Sequence, residues 1–120
     1  MNTLPKSERL KGKAKVSALM SRGRWGFTQS MKYCYLLNAE AGEEPNRIMV
    51  SVPKRFFKRA VKRNLLKRRM REAYRTRKDI LPPSGTDILF LYNSHEISGY
   101  EAVCSQVESI LKRIGDERQL

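Results

Sequence analysis

A chain of 120 residues favours one domain around a core of modest size, and 40% hydrophobic residues argue against general disorder. Against 12 acids stand 25 Lys and Arg, a net charge of +13 that says little about fold and much about partners: nucleic acid, an anionic surface or an acidic protein. ILFLY (88–92), an apolar run as long as any in the chain, is far too short to span a bilayer, and MNTLPKSERLKGK at the start has no apolar segment behind its charges, so no signal peptide and a cytoplasmic protein are expected.

Residues 1–12 are polar and are expected to be extended or flexible. KAKVSALMSRG (13–23) places Val16, Leu19 and Met20 at helical spacing, and Gly23 is suited to end that helix. WGFTQ and KYCYLLNA are aromatic and apolar and predict two strands. NAEAGEEPN (38–46) is an acidic, turn-forming connection. RIMVSVP (47–53) predicts a strand with Ile48, Val50 and Val52 on one face and Pro53 at its end. From about 58 to 78 the chain has no Gly or Pro and many good helix formers. ILPPSGT (80–86) is loop, and DILFLYN (87–93) is a strand apolar on both faces. Ser98 and Glu101 have capping-box spacing, and Val103, Val107, Ile110, Leu111 and Ile114 form one helical stripe closed by Gly115. The order α-β-β-β-α-β-α predicts a single-domain α/β (α+β) sandwich, with a small mixed sheet of about four strands covered by about three helices.

The charge is concentrated. Residues 47–78 hold fourteen Lys or Arg against one acid, Glu72, and the rest of the chain is near neutral. At 100° per residue, Leu66, Met70, Ala73 and Tyr74 fall on a core-facing side of the predicted helix. Asn64, Lys67, Arg68, Arg71, Arg75 and Lys78 fall within another sector of about 100°, with Glu72 near its edge. Lys62 and Arg69 lie on a further face, and Arg63 lies close to the apolar sector, where its stem can pack while its head reaches out. Like charges at i, i+3 and i+4 repel by a few tenths of a kcal/mol, roughly, per pair, so a merely solvated helix gains nothing from this pattern. Guanidinium forks match phosphate oxygens, and Asn64 can donate and accept at a base edge or ribose hydroxyl. An RNA partner follows. A membrane-surface role would need the apolar face that the core requires.

Other chemistry is poorly supplied. Cys34 and Cys104 sit in apolar contexts and are expected to be buried, reduced thiols; no Cys/His pattern predicts zinc. His95, the single histidine, reads as a surface loop residue. Asp79, Asp87 and Glu96 are scattered and lack the spacing of a metal-binding or acid–base nuclease site. No catalytic or metal-ligating residue is therefore assigned to the chain.

AVKRNLLKRRMREAYR (60–75) resembles the signature helix of the protein subunit of bacterial ribonuclease P, through Ala60, Arg63, Asn64, Lys67, Arg68, Arg71, Glu72, Ala73 and Tyr74. VSVPKR (50–55), ERLKGKAKVSALMSRG, DILFLYN and the last helix are similar to the corresponding segments, so the resemblance spans nearly the whole chain. Two departures stand out: Leu65 replaces a usual Arg, and Val16 and Met20 occupy positions where the family often has aromatic residues. The resemblance implies a ribonucleoprotein that removes the 5′ leader of precursor tRNA. Its catalyst is the RNA subunit, working with Mg²⁺ held mainly by RNA. It also implies a left-handed crossover around the basic helix, where chain sterics alone favour the right-handed form.

On that basis Lys62, Arg63, Asn64, Lys67, Arg68, Arg71, Arg75 and Lys78 are expected to bind RNA. The precursor-tRNA leader is expected between the sheet and the first helix, near Val16, Met20, Tyr33, Tyr35, Lys54 and Arg55. Tyr33 and Tyr35 share a sheet face; they either stack on unpaired bases or pack the core. Phe56 and Phe57 are expected to staple the chain to the core, and Trp25 fits either role. The alternative from another class is a structural RNA-binding protein of the ribosome. DNA is not expected, because no helix-turn-helix partner adjoins the basic helix.

Overall fold

Strand β4 (Thr86–Tyr92) lies inside the sheet with a layer on each side, which is why it is apolar on both faces. The computed structural model describes residues 4–37 and 45–118. Around β4 are α1 (Lys13–Arg22), β1 (Arg24–Phe27), β2 (Met31–Leu37), β3 (Arg47–Ser51), α2 (Ala60–Arg77) and α3 (Tyr100–Arg118). The four strands run in the order β1-β2-β4-β3. β1–β2 and β2–β4 are antiparallel and β3–β4 is parallel, so the basic helix α2 is the crossover between two neighbouring strands. The expected mixed α+β architecture and element order are present.

Residues opposite each other across a ladder share a face. One face carries Tyr35, Ile88 and Ile48 in one row and Tyr33, Phe90 and Val50 in the next. This face packs on Leu66, Met70 and Tyr74 of α2 and on Val103, Val107, Ile110, Leu111 and Ile114 of α3, forming the main core. The α3 stripe read from periodicity is fully buried. The other face holds a smaller cluster of Leu10, Leu19, Cys34 and Leu89 under α1.

α1 approaches β2 closely because Gly23 has no side chain: a Cβ there would meet Leu19 O at 2.4 Å and Cys34 Sγ at 2.5 Å. The Cys34 thiol donates to Leu19 O at 3.2 Å, and burial pushes its pKa up to about 11. Both cysteines are free and buried, as expected.

Several local expectations are corrected. Residues 4–12 are neither free nor simply extended. They form a strap with a 3-10 turn at Lys6–Glu8, running along the free edge of β3, where Leu10 N–H donates to Ile48 O at 2.8 Å. Leu4 enters the main core and Leu10 the smaller one, which is what fixes the strap. Ser98 does not cap α3: its Oγ accepts from the Tyr92 hydroxyl at 2.9 Å, and the helix opens instead with Val103 N–H donating to Gly99 O. Gly115 does not end α3, which continues to Arg118; a Cβ there would make ordinary contact with Leu81 at 3.7 Å, so nothing forces a break. Of the predicted 38–46 turn, residues 38–44 lie outside the described residues. Asn46 braces the proline loop, donating to Pro82 O at 2.6 Å and accepting from Thr86 N–H at 3.0 Å.

Candidate nucleic-acid interface

α2 buries Leu66, Met70, Ala73 and Tyr74 and turns its basic stripe outward, as the 3.6-residue period requires. Asn64, Arg68 and Arg71 are exposed and Lys67 is half-buried. Lys62 is exposed on the adjoining face, where it borders a pocket with Phe56, Arg59, His95 and Ile97. Among the described residues, Lys62, Lys67, Arg68 and Arg71 have no acidic partner. The helix begins without an acidic residue in its first turn and without a side-chain cap, so its positive dipole end adds to the same field.

The other basic residues of this segment are partly engaged. Arg63 donates to Phe57 O at 2.8 Å and Lys58 O at 2.7 Å, tying down the turn before the helix. Arg69 donates to Ser98 O at 2.7 Å, joining α2 to the start of α3. Arg75 is paired with Glu72 on the same helix. That hydrogen bond holds the Glu72 carboxyl below the usual carboxylate range and raises Arg75 further. Lys78 is paired with Glu8 of the strap at 3.0 Å. The Arg71 guanidinium is lowered from its ordinary value, first by desolvation and then by the positive charge of Arg9. The stripe therefore divides into open positions at Asn64, Lys67, Arg68 and Arg71 and paired positions at Arg75 and Lys78.

The face of the sheet under α1 presents a second surface. Trp25 shares a row with Cys34, Leu89 and Met49, and Phe27 shares the next with Lys32, Leu91 and Ser51. Trp25 and Phe27 are 40% and 59% exposed. Lys32 Nζ lies 4.7 Å from the Trp25 ring centroid and 5.4 Å from that of Phe27, a cation held over two aromatic faces. Trp25 Nε1 donates to Met20 O at 3.3 Å, fixing the indole against the end of α1. Val16 is half-buried and Met20 is 49% exposed on that helix.

Tyr33 and Tyr35 do share a face, but it is the one covered by α2 and α3. They are 6% and 4% exposed, with ring centroids 6.4 Å apart inside the main core. Tyr33 lies over Gly26, where a Cβ would come within 2.3 Å of its ring. The leader expectation at these two residues is corrected on this ground: neither ring is accessible. Trp25, Phe27 and Lys32 occupy the accessible face instead. Their signal was the i, i+2 pair of aromatics in β1, which alternation alone could not assign to a covered or an open face.

Lys54 and Arg55 are exposed just beyond β3, with the Arg55 guanidinium 4.8 Å from the Phe56 ring centroid. Phe57 packs in the core against Tyr92, as expected, and Phe56 meets the exposed His95 edge-on at 4.8 Å. Among the described residues no group of three or more His, Cys, Asp or Glu is placed to hold a metal ion. No helix among them is long and apolar enough to cross a membrane.

The Ribonuclease P family profile matches residues 4–115. The ribonuclease P protein component of Porphyromonas gingivalis is 32% identical over 117 residues, covering 92% of this chain and 85% of that protein. That of Chlorobaculum tepidum is 41% identical over 83 residues, covering 67% of this chain and 54% of that protein. Among solved structures, the Staphylococcus aureus RNase P protein superposes with a TM-score of 0.76 at 22% identity, covering 91% of this chain and 96% of that one. The Thermotoga maritima RNase P protein gives 0.74 at 24% identity, covering 88% and 96%. With an outward basic helix set on this mixed sheet and a match along nearly its whole length, the chain belongs to the ribonuclease P protein component family, whose role is in tRNA 5′ processing.

Proposed function

We propose that this chain is the protein subunit of a ribonuclease P ribonucleoprotein in the cytoplasm, assisting removal of the 5′ leader from precursor tRNA by a catalytic RNA. The observation that carries the reading is the α2 stripe: Arg68 and Arg71 turned to solvent, with the half-buried Lys67 beside them, on a helix whose opposite side is locked into the core. Rigid, unpaired guanidinium and ammonium groups beside Asn64 fit the phosphates and riboses of a folded RNA. Arg75 and Lys78 join that surface when RNA phosphates compete with Glu72 and Glu8 for them.

The leader is assigned to the open sheet face beside α1. Trp25 and Phe27 supply faces for unpaired bases, Val16 and Met20 an apolar wall, and Lys32 with Lys54 and Arg55 charges for the backbone. The Mg²⁺ of the reaction is assigned mainly to the RNA, whose phosphates supply the oxygen ligands this ion takes. The chain's part is to bind, orient and neutralise charge.

The test is reconstitution. Added to a ribonuclease P RNA at low Mg²⁺, the protein should restore 5′ leader removal from precursor tRNA. Failure to rescue, with tight binding to ribosomal RNA instead, would overturn the reading.

A further inference from the structure

The strap leading into α1 carries cations that the basic helix does not account for. Lys6, Arg9, Lys11 and Lys15 line a basin of about 330 Å³ with Ser7, Pro45 and Arg47. Arg47 is engaged by Asp87, and Glu8, the acid next to these residues, is engaged by Lys78. Lys6, Lys11 and Lys15 are without an acidic partner among the described residues. The backbone beneath them is fixed: the strap pairs with Ile48, and Arg9 Nε donates to Leu4 O at 3.1 Å. Like charges held together on a fixed backbone repel unless an anion joins them.

The basin and the stripe are neighbours. Lys78 at the end of α2 is paired at 3.0 Å with Glu8 of the strap, between Lys6 and Arg9 of the basin. The positive charge of Arg9 also acts on Arg71, in the open part of the stripe.

We propose that the RNA-binding surface continues from α2 across Arg9 onto the N-terminal strap and the first turn of α1, where Lys6, Lys11 and Lys15 take further phosphates of the same structured RNA. This rests on the proposed function and extends its footprint by a patch that no single helical period reveals, because it spans the 3-10 turn, the strap and the first turn of α1.

The test compares the full-length protein with a Lys6→Ala/Lys11→Ala/Lys15→Ala variant in filter binding to a ribonuclease P RNA over a salt series. Each phosphate contact contributes about 0.7–0.9 to the slope of log affinity against log salt, so the slope should become shallower by roughly two. Circular dichroism should be unchanged; if the triple variant does not fold, Lys11→Gln/Lys15→Gln, at two exposed positions, should lose roughly one to two units of slope instead. An unchanged slope in a folded variant overturns the proposal. So does an equal change in Lys112→Glu on the exposed side of α3, which would show that the RNA senses net charge and not this patch. Wild-type protein that fails to bind or rescue the RNA overturns the proposed function itself, whereas wild-type rescue with an unchanged variant slope overturns only this extension.

Discussion

Arg47 and Asp87 stand opposite each other at the start of the parallel β3–β4 pair. The guanidinium donates two hydrogen bonds to the carboxylate, at 2.9 and 3.1 Å, and 10% and 8% of the two side chains remain exposed. A buried pair of this kind fixes register, because sliding either strand by one residue would strand both charges. Asp87→Ala removes the carboxylate that accepts both of these hydrogen bonds and should lower stability by about 3–5 kcal/mol, read as a fall in the urea midpoint. The double replacement Arg47→Leu/Asp87→Leu should cost less than Asp87→Ala alone, since it removes both charges of the pair.

Arg68 and Arg71 test the stripe itself. Arg68→Ala and Arg71→Ala should each weaken binding to the RNA subunit and reduce the salt slope by about 0.7–0.9, with unchanged circular dichroism. Neither side chain holds a hydrogen bond within the described fold, so neither should unfold it. Unchanged affinity in both would remove α2 as the main RNA contact.

Glu72 is the one acid of the 47–78 segment, and it holds Arg75. Glu72→Gln removes a negative charge from the edge of the stripe and frees a guanidinium. RNA affinity at fixed salt should rise, because Arg75 no longer has to leave Glu72 to reach a phosphate, while the number of phosphate contacts and hence the salt slope should stay the same. In wild type the carboxyl is depressed, so the pairing stabilises the fold above the unfolded carboxylate pKa and that contribution is lost as pH falls through the folded value. The variant should lack this acid-side component in a pH series of thermal melts.

How far the sequence disclosed these features depends on what each signal encodes. The helical period named the four buried residues of α2 and the five of the α3 stripe, because a one-sided helix reports its own buried face. Double-sided apolarity placed β4 in the sheet interior for the same reason. Period two grouped Tyr33 with Tyr35 but could not say which side of the sheet α1 or the α2–α3 layer would cover. That choice is tertiary, and it moved the accessible aromatics to Trp25 and Phe27. The strap escaped notice because two leucines six residues apart, Leu4 and Leu10, make no periodic pattern, although both are buried. Ser98 satisfied the spacing of a cap, yet the Tyr92 hydroxyl six residues earlier claims it.

Tyr35 distinguishes packing from recognition. Its hydroxyl is buried, and among the described residues it has no hydrogen-bond partner. Tyr35→Phe removes a buried, unsatisfied polar group of a kind that costs about 1–3 kcal/mol, so it should raise the melting temperature. Tyr35→Ala should lower stability and affect substrates with and without a leader alike. A selective loss for leader-bearing substrate would return this ring to the recognition surface.

Trp25 and Phe27 should behave in the opposite way. Neither ring belongs to the two core clusters, and Lys32 is held across them, so truncating either opens no buried core. Trp25→Ala and Phe27→Ala should lower the urea midpoint less than Tyr35→Ala does. Each should weaken binding of leader-bearing precursor tRNA by about 1–3 kcal/mol, the worth of one base stacked on an aromatic ring. Mature tRNA and leaderless substrate should bind as to wild type. Lys32→Met, which keeps the stem over the rings and removes the charge, should retain the stacking component and lose salt dependence. Equal losses for leader-bearing and leaderless substrates in both aromatic variants would show that this face supports the fold and does not hold the leader.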